Sequence, residues 1–274
     1  MGEYLNRAYQ DRALLEVWNG TKWSIADTPD PGSQRDMLFG ASALSKDNVW
    51  VVGDQESGNG IFETLAEHWD GHRWTAVPTP DPAPDGNHLY AVDAVSPNDV
   101  WAVGESLRGT DGGGQPLVEH WDGQRWTVAF GPAGGATDEL LDGVTATSSG
   151  LWAVGESDSP AGGGQPLILQ LAAGHVGQVA QLPALPDGAD WSNLYGVAIS
   201  GGSVWADGTY VDPATDNNNE LVLHTVGGKW QLATAPEPGS GSNIPGGLAS
   251  IDGQLWLAGM YDDGNQEMPL IEQR

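Results

Sequence analysis

Acidic side chains recur at one position of a repeated motif, directly after a glycine. The four acids at this position are Glu3, Asp54, Glu105 and Glu156. The other two copies of the motif carry Thr209 and Met260 there. Carboxylate oxygens are the ligands that Ca²⁺ prefers, and several that converge can hold a cation. We predict a metal site at the four acids. The alternative is that each is solvated or accepts hydrogen bonds from loop amides.

Aromatic side chains lie close to this acidic position in the sequence. Tyr4, Tyr210 and Tyr261 directly follow it in three copies, while His88 and Trp191 lie in segments that lead into later copies. A tyrosine or tryptophan ring offers an apolar body with a polar tip, which suits a sugar or a peptide. We predict that these five residues bind a ligand. The alternative is that they cap the edges of neighbouring structural units.

No catalytic residue is predicted from the sequence. Arrangements typical of Ser-His-Asp, Gly-Lys-Ser/Thr or His-Glu-x-x-His sites are not present in it. His68, His120 and His224 share one repeat position in separate repeats and are interpreted as packing residues. Paired carboxylates could serve a glycoside hydrolase, but its acids must flank the scissile bond at a defined separation. The chain is therefore expected not to be an enzyme, with hydrolase chemistry as the alternative.

Composition restricts the partners of the chain. It has 274 residues, a net charge of −27 and no cysteine. Disulfides and thiolate metal sites are excluded, and such a negative charge disfavours binding to nucleic acid or anionic membranes. The sequence starts without the apolar core of a signal peptide and has no membrane-spanning apolar run. We expect an extracellular protein if a signal has been removed, and otherwise a cytoplasmic one.

Tryptophans mark an internal repeat of about 51 residues. Trp50, Trp101, Trp152, Trp205 and Trp256 are separated by 51, 51, 53 and 51 residues. The segment 88–130 predicts four strands in one unit: "LYAVDAV" (a), "VWAVGE" (b), "PLVEHW" (c) and "RWTVAF" (d). The Asp-Gly turn between c and d is a strong hairpin signal. A lone unit of this kind cannot bury both faces, so stacked units are expected.

The repeat therefore predicts an all-β fold, a β-propeller of four-stranded antiparallel blades. We expect five blades, with six as the alternative, in a single domain spanning 1–274. The predicted repeat units are 1–36 (partial), 37–87, 88–138, 139–192, 193–243 and 244–274 (partial). The chain begins and ends within a unit, so we expect strands from both termini to close the ring. In that closure "KWSIAD" at 22–27 joins the C-terminal a, b and c strands.

The repeat resembles those of the kelch and galactose-oxidase-like propellers. In that family a strand ending in two glycines precedes a Tyr-Asp-Pro strand and a later tryptophan. Here "WAVGE" at 101–105 stands where the double glycine would be, and "HWDGQRW" at 120–126 replaces the second element. The second glycine is an acid, which makes this a divergent relative. The resemblance implies the propeller fold, and its members include binding scaffolds, sugar-binding proteins and a few enzymes.

The sequence as a whole favours a non-catalytic binding module. We expect the varied loops on one face of the propeller to bind a carbohydrate or a protein ligand. No cofactor is expected apart from a bound cation, with Ca²⁺ as the candidate. The alternatives are a glycoside hydrolase or lyase and a structural, assembly-forming propeller. A monomer is expected, with exchange of end strands between molecules as the exception.

Overall fold

The computed structural model describes the chain except residues 57, 59, 110–112, 132–137, 159–162, 173–177, 186–188, 190 and 237. The secondary structure of the described residues consists of 23 β-strands. In the same residues, no helix is both long and apolar enough to cross a membrane. The chain divides into two compact units, unit 1 (1–141 with 146–149) and unit 2 (142–145 with 150–274).

Four short strands precede the first blade. They are β1 (Gly2–Leu5), β2 (Asp11–Leu14), β3 (Glu16–Trp18) and β4 (Trp23–Ile25). Strands β1 and β2 are antiparallel, and β2 meets the first blade in a parallel contact at Asp11 and Arg35. Strands β3 and β4 form a separate two-stranded hairpin.

The first two blades belong to unit 1 and follow the predicted meander. The first blade contains β5 (Arg35–Ser45), β6 (Asn48–Glu56), β7 (Phe62–Trp69) and β8 (Trp74–Ala76). The second contains β9 (Asn87–Ser96), β10 (Asp99–Arg108), β11 (Gly113–Trp121) and β12 (Trp126–Phe130). Within each blade, consecutive strands pair side by side in antiparallel fashion.

The next three sheets complete a count of five blades. The third contains β13 (Glu139–Thr147), β14 (Gly150–Asp158), β15 (Gly164–Ala172) and β16 (Gln178–Val179). The fourth contains β17 (Ser192–Ser200), β18 (Ser203–Asp212), β19 (Asn217–Val226) and β20 (Lys229–Leu232). The fifth contains β21 (Asn243–Ile251), β22 (Gln254–Asp262) and β23 (Glu267–Gln273). The prediction of an all-β, five-bladed propeller is confirmed.

The predicted closure of the ring by "KWSIAD" is wrong. The strand in this segment, β4, pairs with β3, and the fifth sheet has three strands among the described residues. The reason is local. Asn19 Oδ1 accepts the amides of Thr21 and Lys22, and Gly20 takes a φ of 91° that favours glycine. This Asn-Gly turn closes the β3–β4 hairpin within ten residues, without a distant strand.

The repeated glycine within each strand b is required by a close backbone approach. A Cβ at Gly104 would collide with the carbonyl oxygen of His88 on strand a, and one at Gly208 with that of Asn193. In both blades the pairing of strands a and b shifts register beside these residues, at a β-bulge. The glycine therefore permits the bulge that sets which side chains follow it on the loop face.

Apolar side chains between the sheets form the core of each unit. In unit 1, Trp50, Val52, Leu89 and Trp126 belong to one buried cluster. In unit 2, Ile168, Leu194, Leu221 and Trp230 belong to another. The repeat histidines stack on the strand-b tryptophans, with ring centroids 4.4 Å apart for Trp50 and His68 and 4.0 Å for Trp101 and His120. Their interpretation as packing residues is confirmed.

Candidate functional site

Two of the predicted site residues form a pair in unit 1. Asp54, at the end of β6, lies 2.7 Å from His88 on β9, measured from Oδ2 to Nδ1. The side chains are 4% and 12% exposed, so water screens the pair only weakly. The second carboxylate oxygen of Asp54, Oδ1, is buried and makes no hydrogen bond within the described part of the chain. The Asp54–His88 pair therefore links the first blade to the second, and Oδ1 of Asp54 is left without a hydrogen-bond donor in the described part of the chain.

A second pair lies on neighbouring strands of the second blade. The hydroxyl of Tyr90 on β9 donates to Oε1 of Glu105 on β10 over 2.5 Å. A hydrogen bond to a charged acceptor is short and strong, which fixes both side chains. In the strand register Glu105 pairs with His88, which lies two residues before Tyr90. The register shift at the bulge between Val103 and Gly104 allows the contact between Glu105 and Tyr90.

Aromatic rings connect the two pairs. The imidazole of His88 lies 6.0 Å from the ring of Tyr90 and 5.2 Å from that of Phe62. These rings are half-buried. We name Asp54, Phe62, His88, Tyr90 and Glu105 the unit 1 cluster. It brings two carboxylates and three rings together, which is the chemistry of a site that contacts a ligand through ring faces and hydrogen-bond acceptors.

The N-terminal site residues lie beside this cluster. The guanidinium of Arg35 is 5.3 Å from the centre of the Phe62 ring, and its Nε is 3.8 Å from Oε2 of Glu3. Tyr4, the neighbour of Glu3 on β1, is exposed. Glu3 is therefore linked to Phe62 of the unit 1 cluster through the side chain of Arg35.

In unit 2, Glu156 and Trp191 are brought together. The indole Nε1 of Trp191 donates to Oε1 of Glu156 over 2.9 Å. Trp191 interrupts the repeat in sequence, and the structure gives it the role of donor to the acid that follows the glycine within strand b of the third blade. Its backbone carbonyl also accepts the amide of Val211.

The remaining predicted tyrosines have mixed environments. The hydroxyl of Tyr210 accepts the side-chain amide of Asn219 over 3.4 Å, and its ring packs against the unit 2 core. Tyr261 is half-buried on β22, paired with Asn243 and Met268 in the sheet. Ligand binding by Tyr210 and Tyr261 stays a prediction.

The four predicted metal ligands each have a different partner. Glu3 lies near Arg35, Asp54 pairs with His88, Glu105 accepts from Tyr90 and Glu156 accepts from Trp191. Among the described residues, no three His, Cys, Asp or Glu side chains are grouped so that they could hold a metal ion. Cation binding at the four acids stays a prediction.

Sequence reasoning missed Tyr90, Phe62 and Arg35. A signal for Tyr90 existed, since "HLYAV" in the second blade matches "NLYGV" in the fourth. The matching residue, Tyr195, lies with its hydroxyl 3.2 Å from Oγ1 of Thr209. Burial raises the pKa of Tyr195. The tyrosine on strand a thus bonds the residue after the strand-b glycine in both blades.

Buried acids away from the loop face form a separate group. Glu67 and Glu119 occupy one position of strand c, are fully buried, and have carboxylate oxygens with no hydrogen-bond partner in the described residues. Burial raises the pKa of Glu67 to about 8 and that of Glu119 to about 9. Burial likewise raises the pKa of Asp207 in unit 2 to about 7. The pKa values of Glu67 and Glu119 lie above neutral pH, so burial favours the protonated form of both in the folded chain.

Comparison with known proteins identifies the fold. The sequence matches no protein-family model and no curated protein. Among solved structures, YjhT is similar with a TM-score of 0.56 and 14% identity, over 92% of this chain and 88% of that one. YCF48 bound to D1 peptide is similar with a TM-score of 0.50 and 14% identity, over 91% and 71%. At these identities the likeness shows a propeller fold and does not transfer a ligand.

Proposed function

We propose that the protein is a non-catalytic binding module and that the unit 1 cluster takes a carbohydrate. The observation that carries the proposal is the joining of three half-buried rings to two carboxylates within that cluster. The ring of His88 lies 5.2 Å from that of Phe62 and 6.0 Å from that of Tyr90. Ring faces suit the C–H surfaces of a sugar, and carboxylates accept its hydroxyl donors.

Charge supports a neutral ligand over an anionic one. The chain carries a net charge of −27, which repels phosphates and other anions. Oδ1 of Asp54 is buried and has no hydrogen-bond partner among the described residues, so a ligand reaches it only if neighbouring side chains move. A sugar hydroxyl that reached this oxygen would donate the hydrogen bond that it lacks. A protein ligand would have to supply donors of the same kind.

Hydrogen bonding also supports binding over catalysis. Asp54 is fixed by His88, and Glu105 by Tyr90. These rings orient the carboxylates as acceptors. The hydrolase or lyase alternative uses the same two acids, so one set of variants tests both functions.

A glycan array followed by calorimetric titration of the sugars that bind tests the proposal. We expect Phe62→Ala and Tyr90→Phe to weaken binding about tenfold, the loss of one contact worth about 1.4 kcal/mol. Tyr195→Phe is the matched control, because it changes the equivalent tyrosine in unit 2. Absence of binding to every sugar, or equal losses in Tyr90→Phe and Tyr195→Phe, would contradict the proposal.

Activity measurements distinguish a glycoside hydrolase from a non-catalytic binding module. Hydrolysis of aryl glycosides that disappears in Glu105→Gln would replace the binding module by a glycoside hydrolase. Binding without turnover supports the module.

Two finer predictions belong with this proposal. The repeat is proposed to be a divergent form of the kelch and galactose-oxidase-like repeat. The acids Glu3, Asp54, Glu105 and Glu156 are proposed to attract a cation, tested by calorimetric titration with Ca²⁺. The absence of a heat of binding at millimolar Ca²⁺ would contradict the proposed cation binding.

A further inference from the structure

In the first, second and fourth blades, a histidine ring covers the tryptophan of strand b. The two residues are direct partners in the register of strands b and c, and their rings are stacked. The pairs are Trp50 with His68, Trp101 with His120 and Trp205 with His224, with ring centroids 4.4, 4.0 and 4.5 Å apart. The repeat thus places a planar ring on this tryptophan wherever the histidine is present.

The third blade carries a different residue at the histidine position. Trp152 of β14 is paired in the strand register with Gln170 of β15. Among the described residues, the ring contact of Trp152 is with Trp230 of the fourth blade, whose centroid is 5.6 Å away at an interplanar angle of 80°. A ring that stands edge-on is not a stacked partner. Trp152 therefore has no stacked ring in the described part of the chain.

A second ring is replaced at the same joint between blades. In unit 1, Trp50 contacts Trp121 and Trp126, which are partners across the c–d hairpin of the second blade. In the fourth blade, the partner of Trp230 across that hairpin is Thr225. The joint between the third and fourth blades therefore has two aromatic rings fewer at these positions than the joint between the first and second.

A cavity of about 520 Å³ lies at this joint, and we name it the Trp152 cavity. Trp152, Gln170 and Trp230 line it, together with residues 179–183 after strand c of the third blade and 228–229 of the c–d turn of the fourth. All of these residues belong to unit 2. Small-molecule sites have volumes of about 300–1,000 Å³. The cavity is therefore large enough for a small ligand, and it adjoins the tryptophan that lacks a stacked ring.

We propose that the Trp152 cavity binds a small molecule with a planar aromatic ring, which stacks on Trp152. This ring takes the place that an imidazole has on the tryptophans of three other blades. Offset stacking of two aromatic rings is favourable beyond the burial of apolar area. Gln170 and Gln181 also line the cavity, and their side-chain amides can donate to and accept from polar atoms at the edge of the ring. The site shares no residue with the unit 1 cluster.

Titration with small aromatic molecules, followed by nuclear magnetic resonance, tests the proposal. Indole and benzimidazole are the probes, and cyclohexanol is the control for an apolar ring that is not planar. The chain has 13 tryptophans, so Trp152→Phe and Trp230→Phe are used to assign the indole N–H signals of these two residues. We expect both signals to shift and saturate at millimolar concentrations of either aromatic probe. Cyclohexanol should bind about tenfold more weakly, because it cannot stack.

Gln170→His tests where the probes bind. It copies onto Trp152 the ring that three other blades carry, so the affinity for both probes should fall at least about tenfold. Gln170→Phe repeats the block with a different ring. Gln170→Ala is the matched control, because it removes the same amide, leaves the face of Trp152 open and should change the affinity little. Far-ultraviolet circular dichroism and a thermal melt establish that each variant is folded.

A histidine at the same repeat position of another sheet is the second control. Gln273→His places it beside Trp256 in the fifth sheet and should leave the shifts of the Trp152 signal unchanged. Absence of a shift with either aromatic probe, or equal affinity for cyclohexanol, would overturn the proposal. So would unchanged affinity in Gln170→His and Gln170→Phe, or a loss in Gln170→Ala as large as theirs.

Discussion

Asp54 and His88 are 34 positions apart and lie on different blades, yet their side chains meet at 2.7 Å. Asp54 follows the glycine of strand b in the first blade, and His88 is the second residue of strand a in the second. The contact makes the acid after the glycine part of the joint between blades. It also places an imidazole at the loop face, between Phe62 and Tyr90.

The Asp54–His88 pair should contribute to stability as a unit. We expect Asp54→Asn and His88→Phe each to lower the free energy of unfolding, and the double variant to lose less than the sum. The coupling energy should be about 0.5–3 kcal/mol, as for contacting residues in one network. Urea unfolding of the four chains at pH 7 measures it. Strict additivity would show that the two side chains act independently.

Replacing a buried glutamate should stabilise the protein at alkaline pH. Glu119→Leu introduces the residue that the third and fourth blades carry at this position, Leu169 and Leu223, both buried. Burial raises the pKa of Glu119 from 4.5 to about 9. Between these values the unfolded chain loses a proton that the folded chain keeps, so rising pH favours unfolding of the wild type.

The gain from Glu119→Leu should therefore increase with pH from 4.5 to about 9. The slope is at most about 1.4 kcal/mol per pH unit. Urea midpoints at pH 5, 6.5 and 8 measure the trend. Glu16→Leu is the matched control, because Glu16 has the same repeat position in the β3–β4 hairpin and is exposed. Equal pH trends in the two variants would refute the role of burial.

The glycine within strand b should not tolerate a methyl group. Gly104→Ala would force the new Cβ against the backbone carbonyl of His88. Overpacking of this kind costs about 1–3 kcal/mol. Gly113→Ala, on the neighbouring strand, is the control because open space surrounds that position. Thermal unfolding of both variants checks the prediction, which would fail if both lost the same stability.

Arg12 should stabilise the contact of β2 with the first blade. Its Nη1 lies 2.6 Å from Oδ2 of the fully buried Asp36, whose Oδ1 accepts the amide of Gly32 over 2.7 Å. Arg12→Met leaves this carboxylate without its cation and should cost about 3–5 kcal/mol. Adding Asp36→Asn, which copies the Asn87 and Asn243 of other blades, should restore part of the loss. Chemical denaturation compares the single and double variants, and no recovery would contradict the pairing.

Repetition made the frame predictable from sequence. A glycine, a tryptophan and an Asp-Gly turn at constant spacing each enforce one local geometry, and together they define a blade. The Asp70–Gly71 turn shows this directly, since Asp70 accepts the amides of His72 and Arg73 while Gly71 takes a φ of 90°. Such signals are local, so they are readable without a structure.

Contacts between blades were less predictable. The four acids were identified by position, but their partners His88, Tyr90, Trp191 and Arg35 depend on bulges and on which blade faces which. The closure by "KWSIAD" was wrong because the Asn19–Gly20 turn favours a nearby partner over a distant one. The repeat period predicts which residues recur in each blade. It carries no information on which side chains meet between neighbouring blades.

The repeated glycine of strand b has a consequence for how the blades can diverge. Its neighbour is Asp54, Glu105, Glu156, Thr209 or Met260 in successive blades, while the glycine itself does not change. The blades thus share one residue that backbone crowding holds fixed and differ at the residue beside it. Recognition can change blade by blade at that second position, and the sheets that support it need not be rebuilt.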